Sequence, residues 1–225
     1  MKRRNLVQNG LWGMFYITLF PTQRTSTAMS ETTCEDLMLQ RYPGLRNNIN
    51  QSIYDVLSDD DIRKMPQGMN SIAWNIWHMA RAEDVGINRL VTDGEQIFDK
   101  GDYQQKLNID IRHFGTGMST EEVQKLSESI DIDALREYHE EVGKQSIKVF
   151  GQLDQIELNV KLDPSYLHKV MIDEGVLHEN ALFVEEFYRT KLRSWFLVHL
   201  GLTHNFEHLG QIMVIRKLLG HKGMR

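Results

Sequence analysis

The stretch SIAWNIWHMARAEDVGINRLV, residues 71–91, limits the fold more than any other part of the chain. Its first half is apolar on nearly every helical face, and a helix of that kind has to be covered on several sides. Three further segments carry apolar residues at helical spacing, and no stretch alternates convincingly as a strand. The first runs from about Tyr42 to Leu57, with Leu45, Ile49, Ile53 and Val56 on its apolar face and Pro43 in its first turn, where the missing N–H costs nothing. Asn70 or Ser71 caps the second, which extends to about Val91. The third runs from about Asp133 to Leu153, and the fourth from near Lys191 to near Leu219, with Gly220 as its stop. Between them lie an irregular region, residues 92–129, and a mixed connection, residues 154–190. The first contains RHFGTGMSTEEV, where Ser119 and Glu122 form a capping box for a short helix. The pattern predicts an all-α chain, a four-helix bundle with long crossover connections. Connections of this length often serve as lids or pocket walls.

With 225 residues, 41% hydrophobic and 25% charged, the chain suits one globular domain. Its start is unlike the rest. Lys2, Arg3 and Arg4 precede the apolar run LWGMFYITLF and then PTQRTSTA. This reads either as a weak secretory signal or as an artefact of start-codon choice, with Met29 as the alternative start. The second reading is favoured because one cysteine, Cys34, allows no disulfide framework. The run is shorter than the roughly 20 residues that span a bilayer, so no membrane partner is expected. Residues 1–28 are set apart as an extension, and residues 29–225 are read as the domain. The lone cysteine predicts a reducing, cytoplasmic compartment and leaves histidine and carboxylate as the only ligands for a metal. A net charge of −5 argues against a general nucleic-acid binder.

The stretch THNFEHLGQI places His204 and His208 four residues apart. At 100° per residue they share a stripe with Leu197, Gly201, Gln211, Ile212, Ile215 and Leu219, so both point into the bundle. Each buried ring has two nitrogens to satisfy, and one left unpaired costs roughly 1–3 kcal/mol. A divalent ion taking one nitrogen from each ring removes that cost. A buried pair satisfied by ordinary hydrogen bonds is the competing reading, because such pairs are common in helices. His78, inside the most apolar helix with Trp74, Ala82 and Val85 on its face, is the candidate third ligand. Three neutral imidazoles leave one or more positions open on the ion, which is the arrangement of catalytic sites. Asn75 and Gln211, each three residues from one of these histidines, are candidates to orient a ring from behind. His113, His139, His168, His178 and His221 have no partner at ligand spacing, and the same 100° step turns His199 away from His204. The residue after His204 is Asn205, not glutamate, so no zincin peptidase is encoded. Glu83 and Asp84 read as a solvated or salt-bridged edge.

With GMNSIAWNIWHMARAED, RHFGTGMSTEEV and THNFEHLGQI together, the chain resembles the DinB/YfiT-like superfamily of metal-dependent enzymes. The resemblance runs from about Leu37 to Leu219 and leaves the N-terminal 28 residues outside. It implies a four-helix bundle with a three-histidine site for a divalent metal, usually zinc or nickel, and often a homodimer. Characterised relatives include S-transferases that use bacillithiol or mycothiol and a mycothiol-dependent maleylpyruvate isomerase; many members have no known activity.

The expected chemistry is therefore transfer of a low-molecular-weight thiol to a small electrophile, assisted by the metal. Cys34 precedes the first helix and is poorly placed to be that thiol. Two other readings stay open at this level. The metal could activate water in a hydrolase, for which no base is identified. The domain could instead be a non-enzymatic, stress-related dimeric binding module. A second apolar stripe, Leu202, Phe206, Leu209 and Met213, would suit a dimer partner or simply the interior of the bundle.

Overall fold

The computed structural model describes residues 32–222. The expectation for residues 1–28 lies outside the described residues. Within them the chain is helical, with no strand beyond one isolated bridge between Lys161 and Leu192. Seven helices matter below: α1 (Cys34–Ile49), α2 (Ile72–Asp84), α3 (Thr120–Ser129), α4 (Ile132–Phe150), α5 (Phe183–Arg189), α6 (Arg193–Val198) and α7 (His204–Leu218). Short turns of helix fill the long connections, so the whole is larger than a plain four-helix bundle. No helix among the described residues is long and apolar enough to cross a membrane.

Capping chemistry sets most of the boundaries. The Ser71 hydroxyl accepts from the Trp74 N–H and starts α2. Ser119 and Glu122 form the expected reciprocal box at the start of α3, and Asp131 caps α4. One expectation fails at the first helix. It begins eight residues earlier than the apolar spacing suggests, on a capping box made by Thr33 and Asp36, and Pro43 stands inside it rather than in its first turn. The amphipathic pattern is weak over Cys34–Arg41, where only Met38 is buried, and this is why the start was hidden.

α2 forms the centre of the molecule. Every residue from Ile72 to Asp84 is buried. α2 packs against α4 and α7, while α1 packs against the same two helices from the other side. Enclosure overturns the reading of Glu83 and Asp84 as a solvated edge, since a helix covered on all sides has no such edge. The salt-bridged part of that reading holds: Glu83 pairs with Arg46 at 2.6 Å, and Asp84 lies 3.7 Å from Arg81.

Three of the long helices change pitch, and α1 does so by continuing as the π-helical segment Asn50–Tyr54. α2 continues as a π-helical segment, Val85–Val91, and α6 joins α7 through another, His199–Thr203. The latter two segments pack together where Gly86 approaches Leu200. Leu209 is buried, and Leu202, Phe206 and Met213 are half-buried where they pack against the core.

Candidate metal centre

α2 delivers His78, and α7 delivers His204 from its first position and His208 one turn later. These three residues form a group in which one ligand atom from each lies within 4.8 Å of the others. The ring centroids of His78 stand 4.9 Å from His204 and 4.7 Å from His208, and those of His204 and His208 are 4.5 Å apart. His78 is buried, while the other two rings are half-buried. Trp74 stacks on His78 at 4.7 Å, with the ring planes 12° apart, and covers one side.

The hydrogen bonds fix which nitrogens are bare. His78 Nδ1 meets the Phe114 carbonyl, which can only accept, so Nδ1 carries the proton and Nε2 a lone pair. Asn75 Nδ2 donates to the Ser71 carbonyl at 2.8 Å, which turns its Oδ1 toward His208 Nδ1, also at 2.8 Å. His208 therefore donates from Nδ1 and keeps its own Nε2 bare. Asn75 thus serves the histidine on the opposite helix, not its neighbour in sequence. Gln211 is exposed, close enough to His208 to favour its charged form against the effect of burial.

His78 Nε2 and His204 Nε2 face each other across 3.1 Å. With His78 Nε2 bare, that distance is a hydrogen bond where His204 carries its proton on Nε2, and a repulsive contact needing a cation where it carries the proton on Nδ1. Ligand nitrogens at 2.0–2.1 Å from one tetrahedral zinc are roughly 3.3 Å apart, so the observed spacing suits a shared ion. Charging the rings instead is strongly disfavoured. Burial, with His208 nearby, holds His78 down to about 3, and burial, with His78 and His208 nearby, holds His204 down to about 2. Neutral imidazole is the form that binds metal. The fit is less complete at His204, whose Nδ1 is buried without a partner.

A buried polar network ties the ligand helices together behind the histidines. Glu83, on α2, accepts from Tyr42, from Arg46 at 2.6 Å, from Ser146 at 2.5 Å and from Asn205 at 2.6 Å. Asn205 follows His204 directly, so α1, α2, α4 and α7 all meet at this carboxylate. Asp84, one residue on, accepts from Tyr138 at 2.8 Å and from the backbone N–H groups of Ile97 and Phe98, and so pins the connection after α2.

His199 does not face away from the cluster as the 100° step predicts. Its ring centroid lies 5.7 Å from that of His204. The reason is the π-helical segment: the His204 N–H donates to the His199 carbonyl, five residues back, so five residues make roughly one turn. His113 and His178, distant in sequence, also meet, edge to face at 4.9 Å, and His178 Nε2 lies 3.2 Å from Glu122. Neither His199 nor the Phe114 carbonyl had a signal in the apolar pattern.

A sequence model of the family described as the DinB superfamily matches residues 22–212. No curated protein sequence matches the chain. A solved structure described as the crystal structure of the conserved protein of locus from Enterococcus faecalis is similar, with a TM-score of 0.59 and 17% identity, over 84% of this chain and 98% of that one. At that identity the likeness extends to the fold alone.

Proposed function

Because the chain belongs to the DinB superfamily, we propose that it is a metal-dependent enzyme in which His78, His204 and His208 hold one divalent ion, zinc or nickel, and that it transfers a small thiol to a small electrophile. The observation that carries the metal reading is the pair of acceptors behind the rings. Phe114 and Asn75 take the Nδ1 protons of His78 and His208 and leave both Nε2 lone pairs aimed inward. When bound, the ion would supply the positive charge that favours a thiolate at neutral pH.

The chain's own residues support the rest of the reading. Among the described residues the group has three members, one fewer than a closed structural zinc site uses. His204 and His208 are only half-buried, which leaves an approach from solvent. Cys34 is exposed in the first turn of α1 and is not part of the group, so the thiol comes from a separate molecule. Its sulfur forms the new bond to the electrophilic carbon, its proton is released, and the leaving group departs with the bonding pair.

The test is metal content followed by turnover. The purified protein should carry about one equivalent of zinc or nickel, and His208→Ala should carry almost none. With glutathione or cysteine as thiol and 1-chloro-2,4-dinitrobenzene as electrophile, the loaded protein should accelerate chloride release and the variant should not. No metal uptake after incubation with zinc or nickel would overturn the metal reading. Turnover that needs no thiol would replace thiol transfer with hydrolysis.

A further inference from the structure

An aromatic line runs outward from His204. His199 stands beside it, with 5.7 Å between ring centroids. Trp195 stacks on His199 at 4.4 Å, with the planes 28° apart. Phe187, at the end of α5, meets Trp195 edge-on at 5.6 Å. Trp195, His199 and His204 are half-buried, and Phe187 is 49% exposed, so the strip keeps an open side. The Trp195 and His204 rings at the two ends of this line lie within about 10 Å of each other, the length of a small molecule.

Charge is distributed unevenly along this strip. At the outer end, Lys191 Nζ lies 3.9 Å from the Phe187 ring and 5.4 Å from that of Trp195. The nearby acidic residues of α5, Glu185 and Glu186, are taken by Arg189. Among the described residues Lys191 has no carboxylate partner. At the inner end, Glu207 and Lys191 both lie close enough to His199 to act on its charge, in opposite senses. An anionic group is therefore favoured at Lys191. Flat rings attract flat apolar bodies, and an ammonium that lies over rings with no carboxylate beside it attracts an anion.

We infer that this strip binds the electrophilic substrate, and that the substrate is a planar aromatic or unsaturated carboxylate: its flat body lies on Trp195, its carboxylate reaches Lys191, and its reactive carbon lies toward the histidine cluster. The inference names the substrate class for the reaction proposed above and rests on that reading. The π-helical segment is what allows it, since a regular helix would turn His199 away and interrupt the line.

Binding is measured by fluorine NMR on the full chain, with 4-(trifluoromethyl)benzoate and its neutral amide, 4-(trifluoromethyl)benzamide, as probes. The titrations are run on the metal-loaded protein, on the metal-stripped protein and on His208→Ala. The acid is expected to bind about three- to fivefold more tightly than the amide, the size of one half-exposed charge interaction. Lys191→Gln should abolish that preference and leave amide binding unchanged. Trp195→Ala should weaken both probes by about tenfold, and Trp195→Phe should restore most of the loss. The same pattern in the metal-stripped protein and in His208→Ala would place the subsite on this strip even if the metal reading failed. Equal binding of acid and amide, or titrations unmoved by Lys191→Gln and Trp195→Ala, would overturn the inference while leaving the metal reading intact.

Discussion

Asn205 donates from Nδ2 to Glu83 Oε2 across 2.6 Å, so the residue beside His204 is anchored to a buried carboxylate on the helix that carries His78. Glu83 is buried, and its partner Arg46 is nearly so. Removing one member of such a pair leaves the other charge without compensation. Glu83→Ala is expected to destabilise the fold by about 3–5 kcal/mol, read as a lower urea midpoint. A loss below about 1 kcal/mol would mean that Arg46 reaches solvent or another partner at little cost.

The acceptor behind His208 should matter for metal binding. Asn75→Ala removes the Oδ1 that holds the His208 Nδ1 proton. Metal affinity is expected to fall about 10- to 100-fold, measured by competition with a chelator of known affinity. Asn75→Asp keeps an acceptor at the same place and should retain most of the affinity. If both variants bind as the parent does, the Asn75 contact has no role in the site.

Stability should depend on pH through buried neutral histidines. Burial, reinforced by Arg46, holds His139 well below its ordinary range. Because the folded value is depressed, the unfolded chain binds the proton first as pH falls below about 6.5. Stability is then complete above that value and is lost progressively below it, by up to about 1.4 kcal/mol per pH unit for each such group. His78 and His204 add to the slope in the metal-free protein. Urea titrations of metal-free protein at pH 7 and pH 5 should show this loss, and His139→Leu should shrink it by one proton's share. An equal slope in that variant would show that His139 titrates normally.

Two glycines give a paired test of packing. A Cβ at Gly86 would lie 2.5 Å from Leu200 Cβ, where the two π-helical segments meet. Gly86→Ala is expected to cost about 1–3 kcal/mol through overpacking. A Cβ at Gly210, within α7, meets nothing within 4 Å. Gly210→Ala should raise stability by about 0.5–1 kcal/mol through helix propensity. Thermal melts of the two variants should therefore move in opposite directions.

Much of this molecule could be read from local pattern. Ser71, Ser119 and Glu122 announced their helix starts because a cap is a contact between residues a few positions apart. The all-round apolar character of Ile72–Ala82 required enclosure, and α2 is enclosed. His204 and His208 shared a face because one regular turn separates them, and the meeting with His78 needed only that two helices be neighbours. Tertiary structure decided what depends on which surfaces come together and on departures from regular pitch. Glu83 and Asp84 look like solvated residues one at a time, and only partners from α1, α4, α7 and the connection after α2 make their burial tolerable. Asn75 found its histidine across the helix interface, where sequence distance carries no information. His199 reached the cluster because a π-helical turn holds one more residue than the 3.6-residue period assumes. A periodic reading of the sequence contains no term for that extra residue.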